Sequence, residues 1–201
     1  MFVRRENFRQ YIKFYPVVST IIALNLIVYI LTLIPIIGDK IFYSGMSVNR
    51  LIAEGEWWRV ITATFIHAGF FHILFNMFAL FLFGPELERI SGKIRFFTIY
   101  LISGLFGNVA TFIFQHLDYA SVGASGSIYG IFGAYAALVY YTRNTMPQLK
   151  QIIMPIIIIG LIMTFLQPNT NFYAHVGGLI TGFMLGLAYF SPKNILRWRM
   201  K

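Results

Sequence analysis

Cysteine is absent from the 201 residues. That excludes disulfides and thiolate metal sites, and it leaves helix packing alone to hold the fold. Charge is scarce as well. Only 11% of residues are Asp, Glu, Lys or Arg, against about a quarter in an ordinary soluble domain. Acids are the scarcest charge, with seven in all: Glu6, Asp39, Glu54, Glu56, Glu86, Glu88 and Asp118. A catalytic carboxylate would have to come from that short roster. No polar stretch is long enough for a separate soluble domain.

What fills the chain is apolar. Hydrophobic residues make up 58% of it, and the mean hydropathy is +0.70. Six apolar runs approach the length needed to cross a hydrocarbon core of roughly 30 Å. They cover residues 17–37, 68–83, 96–114, 126–142, 152–166 and 172–190. The second, fourth and fifth are short, so their ends are soft. The pattern predicts an all-α polytopic membrane protein with six transmembrane helices over 16–192. The first run reads as a membrane helix and not as a cleaved leader: it is long and ends in Pro35-Ile36-Ile37-Gly38 without a small-residue cleavage site.

The net charge of +9 is explained by its distribution. Arg4, Arg5, Arg9 and Lys13 precede the first run. Arg89, Lys93 and Arg95 lie between the second and third, Arg143 and Lys150 between the fourth and fifth. Lys193, Arg197, Arg199 and Lys201 follow the sixth. Of the sixteen basic residues, only Lys40, Arg50 and Arg59 fall on the other side. The positive-inside rule then puts both termini in the cytoplasm. Membrane lipid accounts for the basic charge, and nucleic acid is excluded because no basic patch is interleaved with a reading element. Residues 1–15 mix basic and aromatic side chains and read as a cytoplasmic interfacial segment; 193–201 read as a basic cytoplasmic tail. The loop 38–67 carries Trp57 and Trp58, which favour the interface.

This orientation makes the second, fourth and sixth runs all begin on the outer side. His72 and Asn76 lie in the first turns of the second run and point the same way. Ser125 opens the fourth and His175 the sixth. Polar groups in lipid are expensive and mark functional paths, and here they share one depth. Gly126, Gly130 and Ala134 line one stripe of the fourth run; Gly178, Gly182 and Gly186 line one stripe of the sixth. Small residues every four positions let membrane helices approach closely, which would bring Ser125 to His175. The fourth run, about 26 Å long at 1.5 Å per residue, is short enough to submerge Ser125. The loop 115–124 would dip in to meet it and line a water-filled cavity.

A serine needs a base to become a nucleophile, and neutral imidazole serves near pH 7. No acid neighbours His175; Asp118 in the outer loop is a near miss. The residues therefore predict a Ser125–His175 dyad, with Tyr129, one turn below Ser125, packing on the imidazole. The Ser125 backbone N–H, His72 and Asn76 are candidate donors to an oxyanion. Taken singly, each keeps a plainer reading: Ser125 as a helix cap, His175, His72 and Asn76 as interhelical hydrogen-bonding groups, Tyr129 as core.

Several motifs now act together. Gly123-Ala124-Ser125-Gly126 followed by Tyr129, Ala174-His175-Val176-Gly177-Gly178, and His72-Ile73-Leu74-Phe75-Asn76 resemble the rhomboid family of intramembrane serine proteases. Trp58-Arg59 and Gly84-Pro85-Glu86-Leu87-Glu88-Arg89 agree, so the resemblance runs from about residue 57 to 190. It implies a six-helix bundle that cleaves transmembrane or juxtamembrane peptide bonds of membrane-protein substrates. It implies Ser125 as nucleophile, His175 as base, His72 and Asn76 as oxyanion-stabilising pair and Tyr129 as the supporting aromatic. Trp58, Arg59, Glu88 and Arg89 match structural positions. No cofactor is implied. The expected site is in the cell membrane and opens to the outer side.

Three other classes compete with this reading. A metal site needs three or four ligands in tight geometry; His67, His72, His116 and His175 all fall on the outer side, but no carboxylate joins them and no His-Glu-x-x-His is present, so no metal ligand is assigned. A transporter would show internal repeats or broken helices. A non-catalytic rhomboid-like adaptor that binds client transmembrane helices is the main alternative, although such relatives usually lose the serine or the histidine.

Overall fold

The computed structural model describes residues 2, 4–167 and 170–191, so the basic tail 193–201 lies outside the described residues. The chain enters through a short helix, α1 (Phe8–Phe14), set by a capping box in which Asn7 and Gln10 bond each other's backbone N–H groups. Among the described residues of the predicted interfacial segment, only this part is helical. Pro16 then opens α2 (Pro16–Thr32), which leaves α1 at 111°. Proline suits a first helical position because its missing N–H would have no partner there. The next free donors of α2, Val17 N and Val18 N, reach Glu88 at 3.1 and 2.9 Å. Glu88 is thereby a buried cap on a different helix.

The segment expected to be a loop carries its own structure: α3 (Ile37–Gly45), β1 (Ser47–Val48), α4 (Asn49–Ala53), α5 (Arg59–Thr62) and a 3-10 turn over Ala63–Phe65. Arg59 holds it together from a buried position. Its guanidinium donates to the Tyr43 and Met46 carbonyls at 2.7 and 2.8 Å and pairs with Glu56. Trp58 Nε1 donates to the Ser44 carbonyl.

Five long helices follow: α6 (Phe70–Ser91), α7 (Lys93–Phe114), α8 (Ser125–Thr142), α9 (Pro147–Leu166) and α10 (Phe172–Tyr189). α6 runs eight residues beyond the predicted end, through Pro85, so Glu86, Glu88 and Arg89 all sit on helix. Gly92, at φ +82°, separates α6 from α7 in a conformation that favours glycine. Before α8, β2 (Ala120–Ser121) pairs antiparallel with β1, Ser47 opposite Ser121 and Val48 opposite Ala120. The loop 115–124 is thus tied to the first-loop structure.

The helices α6, α7, α9 and α10 are long and apolar enough to cross a membrane, and the bent α1–α2 pair adds a fifth by the same measure. α8 does not meet it, although it occupies the middle of the bundle with most of its length buried. A helix screened from lipid by protein has no need of an apolar surface; α8 is written in Gly, Ala, Ser and Tyr. Large apolar side chains face outward instead, among them Phe71, Phe75, Phe78, Ile159 and Phe165. This is an integral, multi-pass membrane protein.

The two glycine stripes meet. A Cβ on Gly178 would strike the Gly126 carbonyl, one on Gly182 the Gly130 carbonyl, and one on Gly186 would lie 3.0 Å from Ala134 Cα. The pairs rise together in number, so α8 and α10 are parallel. α7 runs the other way: Gly107 packs on the Ala174 carbonyl and Ser103 on Gly130.

Candidate active site

Parallel packing puts the starts of α8 and α10 at one end. Ser125 is the first residue of α8 and is half-buried. The first N–H groups of a helix lack intrahelical acceptors, so Ser125 and its neighbours offer donors there. The preceding turn is fixed by Gly123 N–H bonding the Ala63 carbonyl at 2.9 Å. Gly123 has φ +121°, and a side chain there would collide with His72 Nε2. The loop before Ser125 therefore lies directly against the His72 ring. Asn76, one turn along α6 and buried, donates to the His72 carbonyl at 2.8 Å and keeps a second N–H free.

His175 sits in the first turn of α10. Asn171 caps that helix by accepting from Ala174 N at 3.0 Å, and bonds Thr111 on α7. The His175 ring is buried and stacked on Tyr129, with centroids 4.1 Å apart and planes 14° from parallel. The Ala174 carbonyl lies 3.3 Å from where a Cβ of Gly126 would be, so the residues beside Ser125 and His175 touch. Their own side chains make no hydrogen bond to each other. Such contacts are commonly loose without substrate.

One residue of the site was not read from the sequence. Thr164, in the last turn of α9, places its Oγ1 2.7 Å from His175 Nδ1 and 2.8 Å from the Tyr129 hydroxyl. The one available signal was a hydroxyl within the otherwise apolar run 152–166. Two other polar residues lie away from the site. Asp118 is engaged with Arg50 at 2.6 Å on the surface. Ser127 is fully buried and points at Gly104 of α7. The expected cavity over Ser125 is not one of three that open along α2, of about 500, 380 and 650 Å³; neither Ser125 nor His175 borders them.

A multi-pass bundle with a serine and a histidine at adjoining helix starts defines a membrane protein carrying the side chains of a serine hydrolase. The chain belongs to the rhomboid family: the Rhomboid domain model matches residues 54–192. It is 41% identical over 196 residues to the "Putative rhomboid protease YdcA" of Bacillus subtilis, covering 96% of this chain and 98% of that one. It is 43% identical over 154 residues to the "Rhomboid protease GluP" of the same organism, and 32% identical over 163 residues to the "Rhomboid-type serine protease 2" of Emericella nidulans. Those two matches cover 74% and 79% of this chain but only 29% and 32% of the relatives. The protein is accordingly a rhomboid serine protease.

Proposed function

We propose that this protein is an intramembrane endopeptidase that cuts transmembrane or juxtamembrane peptide bonds through a Ser125–His175 dyad. The observation that carries the reading is the His175 ring, stacked on Tyr129 with Nδ1 engaged by Thr164. That leaves Nε2 as the nitrogen available to Ser125. In the proposed cycle Ser125 Oγ attacks the substrate carbonyl carbon while His175 takes the hydroxyl proton. The oxyanion is met by the Ser125 N–H, His72 and Asn76. The C–N bond then breaks, and His175 returns its proton to the leaving amine. Water, deprotonated by His175, hydrolyses the acyl-enzyme and frees Ser125.

In the same reading α2 and α6 to α10 are six membrane crossings within a protease domain of residues 16–192. Residues 1–15 form a cytoplasmic interfacial segment and 193–201 a cytoplasmic tail. The enzyme lies in the cell membrane with its site opening outward. Substrates are membrane proteins whose helix enters laterally beside α9 or under the first loop; α9 is the least embedded of the four clearest spans.

The test is cleavage of a transmembrane reporter in liposomes. Ser125→Ala and His175→Ala each abolish it, and Ser127→Ala retains it. Asn76→Ala weakens it by about 10- to 100-fold, because other donors remain. Cleavage surviving in Ser125→Ala sinks the proposal. Absence of Ser125-dependent labelling by a fluorophosphonate leaves the adaptor reading in its place.

A further inference from the structure

We infer that Thr164 is a positioning residue: its hydroxyl fixes the tautomer and the plane of the His175 ring. The inference rests on the dyad proposed above and follows from one proton. Thr164 Oγ1 makes three short contacts: 2.8 Å to the Gly160 carbonyl, 2.8 Å to the Tyr129 hydroxyl and 2.7 Å to His175 Nδ1. A threonine hydroxyl has one proton and two acceptor lone pairs. The Gly160 oxygen is a carbonyl and only accepts.

If the Thr164 proton goes to His175 or to Tyr129, two acceptor oxygens face each other at 2.8 Å with no proton between them. That arrangement is repulsive and leaves a buried contact unsatisfied. If the proton goes to Gly160, Tyr129 O–H and His175 Nδ1–H both donate to Thr164, and all three contacts are hydrogen bonds. Only this assignment satisfies the site. It places the neutral imidazole proton on Nδ1 and the lone pair on Nε2, the form a base needs. The same Thr164 oxygen goes on accepting from Nδ1–H when His175 becomes imidazolium, so the bond strengthens as charge develops.

Geometry favours the role as well. Tyr129 touches His175 twice, through its ring face and through the shared Thr164 oxygen. Thr164 is buried, so water does not take its place. Among the described residues no carboxylate bonds His175; a neutral hydroxyl, polarised by its own donation to a helix carbonyl, stands where a third member would.

The experiment compares Thr164→Val, which keeps the shape and removes the hydroxyl, with Thr164→Ser, which keeps the hydroxyl. Both are assayed with a transmembrane reporter in liposomes, and fluorophosphonate labelling rates are measured on the same samples. Thr164→Val lowers kcat about 10- to 100-fold, leaves KM within about two-fold, and slows labelling in proportion; Thr164→Ser stays within about three-fold of the parent. Tyr129→Phe costs less than Thr164→Val, because Thr164 still accepts from His175. Histidine ¹⁵N spectra show the Nδ1–H form in the parent and a mixture in Thr164→Val. Near-parental kcat in Thr164→Val overturns the inference, as does equal loss in the Val and Ser variants, or loss confined to KM. Should Thr164→Val unfold, Thr164→Ser against Thr164→Ala decides, a Ser variant no better than Ala being the negative result. Failure of the parent to cleave or label would reject the protease reading itself, which these outcomes leave separate.

Discussion

His67 is the most enclosed of the four histidines, 1% exposed with neither ring nitrogen hydrogen-bonded. It stands in the turn before α6, its ring 5.1 Å from that of His72. Burial first, and the neighbouring His72 second, push its pKa down to about 4. An unfolded histidine titrates near 6.5. Between those values the unfolded chain binds the proton and the folded one does not, so stability rises with pH through the window. It is fully present above about pH 6.5 and is lost as pH falls towards 4, by ~3 kcal/mol at most. The melting temperature in detergent is therefore expected to drop from pH 7 to pH 4, and His67→Leu to flatten that slope. An equal slope in His67→Leu would place the effect elsewhere. Residues differ in how far the sequence announces them. Ser125 and His175 were legible as candidates because each opens an apolar run beside small residues, and the proposed charge topology gives them a shared depth. Thr164 was not, because one threonine at a helix end is ordinary. Its meaning lies in two contacts with α8 and α10 that no spacing along α9 encodes.

Among the elements, α8 and α10 show how a small-residue stripe becomes geometry. Gly178 and Gly182 face backbone carbonyls of Gly126 and Gly130, and a methyl at either position has nowhere to go. Backbone cannot swing aside as a side chain can, so Gly178→Ala or Gly182→Ala must part the helices. The expected cost is about 1–3 kcal/mol or more for an overpacked core, read as a lower melting temperature, with cleavage falling too because Ser125 and His175 ride on the two helices. Gly69→Ala, with no atom within 4 Å of the added carbon, is the steric control and should lose less, since only its place at the α6 N-cap counts against alanine. If the α10 variants melt unchanged, the helices are not held by this contact. The stripe was readable as period-four glycine. The first loop was not: α3, α4 and α5 are four to nine residues long and too short to show a period. They are set by Arg59 bonding carbonyls thirteen and sixteen residues away in the chain. The extension of α6 through Pro85 was hidden for a related reason. Proline normally marks a helix break, but here α6 continues past Pro85 with Glu86 and Glu88 buried on it, and Glu88 caps α2.

For the whole molecule, the proposed orientation rests on Lys and Arg alone, and the lack of cysteine makes it testable without background. A single introduced thiol is the only one in the chain. Lys40 and Glu54 are exposed in the first loop; Lys93 and Asn144 are exposed at the opposite ends of helices that begin or finish beside the basic clusters. If both termini are cytoplasmic, Lys40→Cys and Glu54→Cys react with a membrane-impermeant maleimide in intact cells. Lys93→Cys and Asn144→Cys react only after lysis. The reverse pattern would invert the topology and with it the side to which the Ser125 site opens. The parallel packing of α8 and α10 makes the result binding on the mechanism. Ser125, His175 and His72 share one end of the bundle, so the four labels also decide which side of the membrane supplies the water for hydrolysis. A mixed pattern, with Lys40→Cys and Asn144→Cys both labelled in intact cells, would place one fewer or one more crossing between them than the three that α6, α7 and α8 require.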